Sequence, residues 1–185
     1  MSSPASTARY TYDDLASFPD DGLRRELIGG ELIMSPAPHL RHQRVVMQLA
    51  GRLWLYSQEH GGEAYPAPTD VYFTHEDVVE PDVAFVRAEH SDQLEERFIR
   101  SAPDIVVEVS SPSTRHLELV HKRSLYERNG VPEYWYVDLE ADRVEVYRLD
   151  KGQYGHPEIL ERGDKLTSPV LPGFAVTIKD LLDPA

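Results

Sequence analysis

The chain has 185 residues, 41% of them hydrophobic, and no cysteine. That supports one core in a single domain over residues 1–185, with residues 1–10 expected to be flexible, and the absent thiols exclude disulfides, thiolate zinc sites and cysteine nucleophiles. The net charge of −13 opposes a simple nucleic-acid binder. No apolar run reaches the roughly 18 residues of a membrane span, and the opening MSSPASTARY lacks a leader's apolar stretch, so a cytoplasmic protein is expected.

In chain order, Tyr12 to Gly22, which contains Asp13, Asp14, Leu15 and Phe18, predicts a short capped helix built for packing. Arg25 to Met34 carries two apolar stretches around Gly29-Gly30, a two-residue hairpin signal, and should end at Pro36 and Pro38. From Arg41, the apolar positions Val45, Val46, Leu49, Leu53 and Tyr56 recur at helical spacing until Gly61-Gly62 breaks the pattern.

Asp70 to Thr74 and Glu80 to Val86 flank His75-Glu76-Asp77, which predicts an antiparallel pair joined by a short loop. Residues 88–102 are polar and read as a loop with a short helix. Asp104 to Val109 is apolar except for its acids, as expected of a central strand covered on both faces. Ser111 to Thr114 turns the chain into a second helix, marked by Leu117, Leu125 and Tyr126 and ended by Asn129-Gly130. Glu133 to Asp138 and Arg143 to Leu149 predict two more strands, and the tail, with Leu160, Leu166, Phe174 and Leu181-Leu182, should cap them. The predicted class is α/β: a mixed β-sheet flanked by helices, with an N-terminal β-hairpin.

Two acids stand out because they sit in apolar strands, Asp82 after Pro81 and Glu108 before Val109. A buried charge is costly unless it is paired or bound to a metal. Side chains alternate along a strand, so Asp82 and Glu108 each share a face that Val83, Phe85, Val107 and Val109 do not. On adjacent strands the carboxylates would meet, and a divalent cation would keep both ionised, polarise a phosphate and lower the pKa of its bound water. With no cysteine, oxygen ligands favour Mg²⁺ or Mn²⁺. Lys122, on the next helix, is the candidate for orienting water or neutralising transition-state charge. Two helices carry a local excess of basic residues: Arg41, Arg44 and Arg52 against Glu59, and Arg115, Lys122, Arg123 and Arg128 against Glu118 and Glu127. They could present positive charge beside a site while the remaining surface stays acidic.

Pro81-Asp82 followed by Glu108-x-Ser110 resembles the PD-(D/E)XK nuclease pattern without its last lysine. ELIGGELIMSPAPHLRHQ, PDVAFV and PDIVVEVSSPSTRHLELVHKRSLYERNGVPEYWYVD more specifically resemble the Uma-type family of putative restriction endonucleases, over about Arg24 to Leu149. The resemblance implies a restriction-endonuclease-like fold, a divalent metal and a DNA substrate, with RNA also compatible. It places the displaced lysine at Lys122, the metal on Asp82, Glu108 and the Val109 backbone carbonyl, and His42 beside the site. One departure is Glu118, where the family usually has aspartate four residues before the helix lysine.

Plainer roles exist for each residue. Asp82 can be a polar strand-start residue, Glu108 a structural ion-pair partner, and Lys122 an i,i+4 partner of Glu118. Ser110 fills the vacated lysine position, where it can bind a metal water or simply close the strand. His42 can be an exposed helix-start residue. Glu31 and Glu26 are lesser candidates for a second metal or for closing the site, and Asp70 is either an acid projecting toward Asp82 or a plain strand-edge residue. The resulting expectation is a Mg²⁺- or Mn²⁺-dependent endonuclease, with a homodimer suited to cutting two strands. Its rivals are a non-catalytic nucleic-acid-binding or regulatory module, and a structural homo-oligomer assembled through Tyr134-Trp135 and the hairpin.

Overall fold

The computed structural model describes residues 9–19, 21–35, 38–111 and 117–183. The flexible start expected over residues 1–10 and the turn expected at Ser111 to Thr114 therefore lie largely outside the described residues. The short helix α1 (Tyr12–Leu15) opens with Asp14 reaching back to Thr11, its Oδ2 accepting the Thr11 N–H at 2.7 Å and the Thr11 hydroxyl at 2.9 Å. Strands β1 (Arg24–Ile28) and β2 (Glu31–Ser35) form the expected hairpin. Gly29 and Gly30 take φ of 58° and 77°, the left-handed conformation that a tight two-residue turn demands. Helix α2 (Leu40–His60) turns Val45, Val46, Leu49 and Leu53 inward, the stripe read from the sequence.

The next strands differ from expectation. A strand β3 (Glu63–Pro66) precedes β4 (Asp70–Thr74), and β4 pairs antiparallel with β5 (Asp77–Val79), not with the PDVAFV segment. The apolar run from Val78 to Val86 is two strands. It breaks at Glu80-Pro81-Asp82 and continues as β6 (Val83–Val86) in a different sheet. Proline lacks the N–H that a continuous ladder would need, so the crossing falls where Pro81 interrupts the run. The loop expected over residues 88–102 contains a 3₁₀ segment (Ala88–Gln93) and β7 (Phe98–Arg100), which pairs parallel to β4.

Strand β8 (Ile105–Val109) is wholly buried between β6 and β9 (Glu133–Asp138), antiparallel to the first and parallel to the second. Between β8 and β9 run a π-helical segment (Leu117–Lys122) and α3 (Arg123–Arg128). Strand β10 (Arg143–Asp150) extends the sheet, with β11 (Gln153–Tyr154) and β12 (Glu158–Leu160) at its edge. A small pair, β13 (Lys165–Thr167) and β14 (Ala175–Thr177), leads into α4 (Ile178–Leu182).

Among the described residues, one sheet runs β2-β1-β5-β4-β7, and the main sheet runs β11-β10-β9-β8-β6-β3 with β12 also on β10. One face of the main sheet, through Val83, Phe85, Val107, Val109 and Trp135, packs on α2 and α4. Its other face, through Ala84, Val86, Val106 and Tyr136, packs on α3 and on Val71 and Val79 of the first sheet. Strands β6 and β8 are therefore apolar on both faces, as the sequence suggested for the second of them. No described helix is long and apolar enough to cross a membrane.

Candidate active site

Five chain segments deliver charged side chains to the junction of the two sheets. Strand β1 brings Arg24 and Glu26, the β5–β6 crossing brings Glu80 and Asp82, and β8 brings Glu108. The start of α2 brings His42, and the turn into α3 brings Lys122 with Tyr126. The β6–β8 register, with Val83 opposite Val107, sets Asp82 alongside the end of β8. Its Oδ2 accepts the Val109 N–H at 2.7 Å and lies 3.1 Å from His42 Nε2. The plain reading of His42 as an exposed helix-start residue is thus corrected: it is 7% exposed and faces Asp82.

Two cations neutralise the acids, in different ways. The Lys122 ammonium, 3% exposed, lies 2.6 Å from Glu26 Oε1 and 2.9 Å from Glu108 Oε1. Both are full charge-assisted hydrogen bonds. The Tyr126 hydroxyl adds a 2.6 Å hydrogen bond to the same Glu108 oxygen, and Glu26 Oε1 also accepts the Glu80 N–H at 2.7 Å. The Arg24 guanidinium lies among four carboxylates and fits them loosely. It is 3.0 Å from Asp82 Oδ1 but 3.5 Å from Glu26, 3.7 Å from Glu80 and 3.9 Å from Glu108. Arg24 Nε and Nη2 and Glu26 Oε2 are buried without a hydrogen-bond partner.

Charge and burial together set the protonation of the cluster. Burial would raise the Asp82 carboxyl, but the His42 hydrogen bond, the Arg24 charge and the Val109 N–H outweigh it and hold it at about 2. Burial raises Glu108 against the pull of Lys122. It also raises Glu80, against the pull of Arg24, to about 7. Burial works against the Lys122 charge, yet Glu108 and then Glu26 raise its pKa, so the amine stays protonated. A protonated Lys122 donates hydrogen bonds and stabilises negative charge; it does not accept a proton.

Among the described residues no three His, Asp or Glu side chains are spaced as the ligands of one ion, and Asp82 and Glu108 pair with Arg24 and Lys122. The donor chemistry nevertheless fits a hard divalent cation. The acceptors are carboxylate oxygens, and the orphaned Glu26 Oε2 is a buried acceptor lacking a donor. A cleft lined by Gly22, Leu23, Arg24, His42, Glu80 and Asp82 opens the cluster to solvent.

The chain matches the family model described as "Uma2: Putative restriction endonuclease" over residues 10–179. It belongs to the Uma2 family. In structure it is similar to a protein of Anabaena variabilis ATCC 29413 described as a putative nuclease belonging to DUF820, with a TM-score of 0.78 at 20% identity, over 93% of this chain and 97% of that one. At that identity the likeness concerns the fold alone, an α/β arrangement of mixed sheets and flanking helices. No curated protein matches the chain.

Within this Uma2 fold, Asp82, Glu108, Lys122 and His42 come together as the sequence suggested, while Ser110 and Glu31 do not join them. Ser110 Oγ accepts the Leu139 N–H at 2.9 Å, which ties the end of β8 to the turn after β9. Glu31 is exposed beside the hairpin turn, and the hairpin's contribution is Glu26. Asp70 lies on β4 of the other sheet. Lys122 forms ion pairs with Glu26 and Glu108; its expected i,i+4 partner Glu118 has its side chain outside the described residues. Arg24 and Tyr126 were missed: an arginine in a hairpin reads as a surface residue, and Tyr126 reads as an apolar helix position. The acids' need for counter-charge was the available signal for Arg24.

Two further expectations are corrected. Arg41 pairs with Asp142 and Arg128 with Asp77, so part of the helices' basic excess is neutralised locally. Arg52 hydrogen-bonds the uncharged Gln48, which does not neutralise it. Tyr134 and Trp135 are wholly buried, so they offer no surface for the assembly imagined in the structural rival. Their rings belong to opposite faces of β9.

Proposed function

We propose that this Uma2 protein is a Mg²⁺- or Mn²⁺-dependent endonuclease that hydrolyses DNA phosphodiester bonds. The observation that carries the reading is the convergence of Asp82, from the β5–β6 crossing, and Glu108, from β8, beside the buried, protonated Lys122. Asp82, Glu108 and the Val109 backbone carbonyl would hold the ion. When bound, it supplies Lewis-acid polarisation of the phosphate and a more acidic water. His42 holds Asp82 in position through its 3.1 Å contact, and Tyr126 and Lys122 fix the Glu108 carboxylate. Lys122 is suited to stabilising charge that develops on the phosphate oxygens. The cleft beside Arg24 and His42 is the proposed entry for the substrate.

The test is incubation of the protein with supercoiled plasmid, single-stranded DNA and RNA in Mn²⁺ or in EDTA, beside Glu108→Gln and Asp82→Asn. Metal-dependent cleavage of DNA lost in both variants supports the reading. Cleavage of RNA alone reassigns the substrate, and nucleic-acid binding without cleavage or metal dependence favours the non-catalytic module. Cleavage equal in the wild type and both variants rejects the assigned site.

A homodimer would place two such sites on one duplex, and α2 supplies the surface we assign to it. Leu40, Met47, Trp54 and Leu55 are 85%, 73%, 54% and 60% exposed along its outer face. Gly51 lies among them with open space where a Cβ would be, at a helix-interior position where glycine is costly. Arg44 toward the start of the helix and Glu59 at its end are both exposed, so an antiparallel second copy crossing at Gly51 would bring opposite charges together.

A further inference from the structure

We propose that Arg24 is a built-in cation that the divalent ion must displace, and that the displaced guanidinium then contacts the substrate phosphate in the adjoining cleft. This inference rests on the metal-dependent reading above. It starts from the contrast between the two cations in the cluster. Lys122 makes hydrogen bonds of 2.6 and 2.9 Å to two carboxylates and is 3% exposed. Arg24 makes one such bond, at 3.0 Å to Asp82; its other three carboxylates are 3.5–3.9 Å away, and its Nε and Nη2 have no hydrogen-bond partner. The side chain is 23% exposed and already lines the cleft. Of the two, Arg24 is the cation held loosely and close to a way out.

The acids that hold Arg24 include both proposed metal ligands, Asp82 and Glu108. Two cations cannot share those oxygens at contact distance without strong repulsion. A guanidinium cannot leave by losing its proton, since arginine stays charged in proteins. The remaining route is rotation of the side chain out of the acidic cage into the cleft lined by Gly22, Leu23, His42, Ala67 and Pro68. There its planar donors match a phosphodiester. Exchange of this kind also bears on the net charge of −13, because it moves a positive charge to the cleft only after the acids have another partner.

The variants are Arg24→Met, which removes the charge and keeps much of the bulk, and Arg24→Lys, which keeps the charge but lacks the planar fork. Glu80→Gln loosens one anchor of Arg24 without touching a proposed ligand. Folding of each is checked by circular dichroism, and Mn²⁺ affinity is measured by titration calorimetry. Binding of a mixed-sequence DNA duplex is measured in Ca²⁺. The expected signature has opposite signs: Arg24→Met binds Mn²⁺ about tenfold tighter or more but the duplex more weakly. Arg24→Lys falls between it and the wild type in both, and Glu80→Gln tightens Mn²⁺ binding. A structural role for Arg24 would weaken both kinds of binding together. Equal Mn²⁺ affinity in the wild type and all three variants overturns the exchange while leaving the metal site standing. Tighter Mn²⁺ binding with unchanged duplex binding overturns the phosphate contact. No Mn²⁺ binding by any of the four proteins defeats this inference and the metal-dependent reading together.

Discussion

Lys122 Nζ lies 2.6 Å from Glu26 Oε1, joining the N-terminal hairpin to the helix that carries the proposed catalytic lysine. Replacing Glu26 with alanine leaves that ammonium, among the described residues, with Glu108 as its carboxylate partner and strips the Glu80 N–H of its acceptor. Loss of one partner from a buried pair costs about 3–5 kcal/mol. Urea denaturation of Glu26→Ala should show a loss of that size. A loss below about 1 kcal/mol, the level of exposed surface pairs, would mean that the pair is not buried in solution.

Tyr126→Phe removes one donor from Glu108 while preserving the ring in a site with no solvent exposure. A hydrogen bond to a charged group contributes about 1.5–3 kcal/mol, so the variant should be destabilised by that amount with its near-ultraviolet spectrum little changed. Stability equal to the wild type in thermal melts would dismiss the contact.

Glu80 gives the metal-free protein a pH-dependent weakness. Burial raises its carboxyl from 4.5 to about 7. An acid with a raised folded pKa binds its proton more tightly in the folded state. Its contribution is therefore full below 4.5 and is lost as the pH rises through about 7. In EDTA, wild-type stability should decline across that window relative to Glu80→Gln. Parallel melting curves for the two proteins from pH 4.5 to pH 8 would contradict the shift.

Gly62 holds the chain against β6 as it leaves α2. Its φ is 89°, and a Cβ there would lie 2.7 Å from the Val86 carbonyl oxygen and 2.9 Å from the Phe85 ring. Gly62→Ala combines backbone strain with a clash against the main chain and should cost about 1–3 kcal/mol. Chemical denaturation measures this directly, and a neutral result would show that the turn can relax.

The α2 interface predicts a dimer by sedimentation velocity that Met47→Glu converts to monomer with the helical content kept. Arg44→Glu should weaken the dimer, and adding Glu59→Arg should restore it. A wild type that remains monomeric at every concentration rejects the interface.

Much of the fold was legible because its signals are local. The Gly29-Gly30 hairpin, the apolar stripe of α2 and the unbroken run of β8 each follow from neighbouring residues, which backbone stereochemistry and burial read directly. Asp82 and Glu108 were legible for the same reason: an acid in an apolar strand announces a buried charge. The partner of the Glu80 to Val86 segment was misread: Asp70 to Thr74 pairs with Asp77 to Val79 instead, because hydrophobicity marks burial but does not name a strand's partner.

By itself the sequence determined which segments pack and which acids require neutralising. Only the tertiary structure decided what neutralises them: Glu26 over Glu31 from the hairpin, His42 turned inward, and Arg24 between Asp82, Glu80, Glu26 and Glu108. The physical reason is that a buried charge demands a counter-charge without specifying its source. Arg24 and Glu108 are remote along the chain, and the meeting of β1, the β5–β6 crossing and β8 sets their distance.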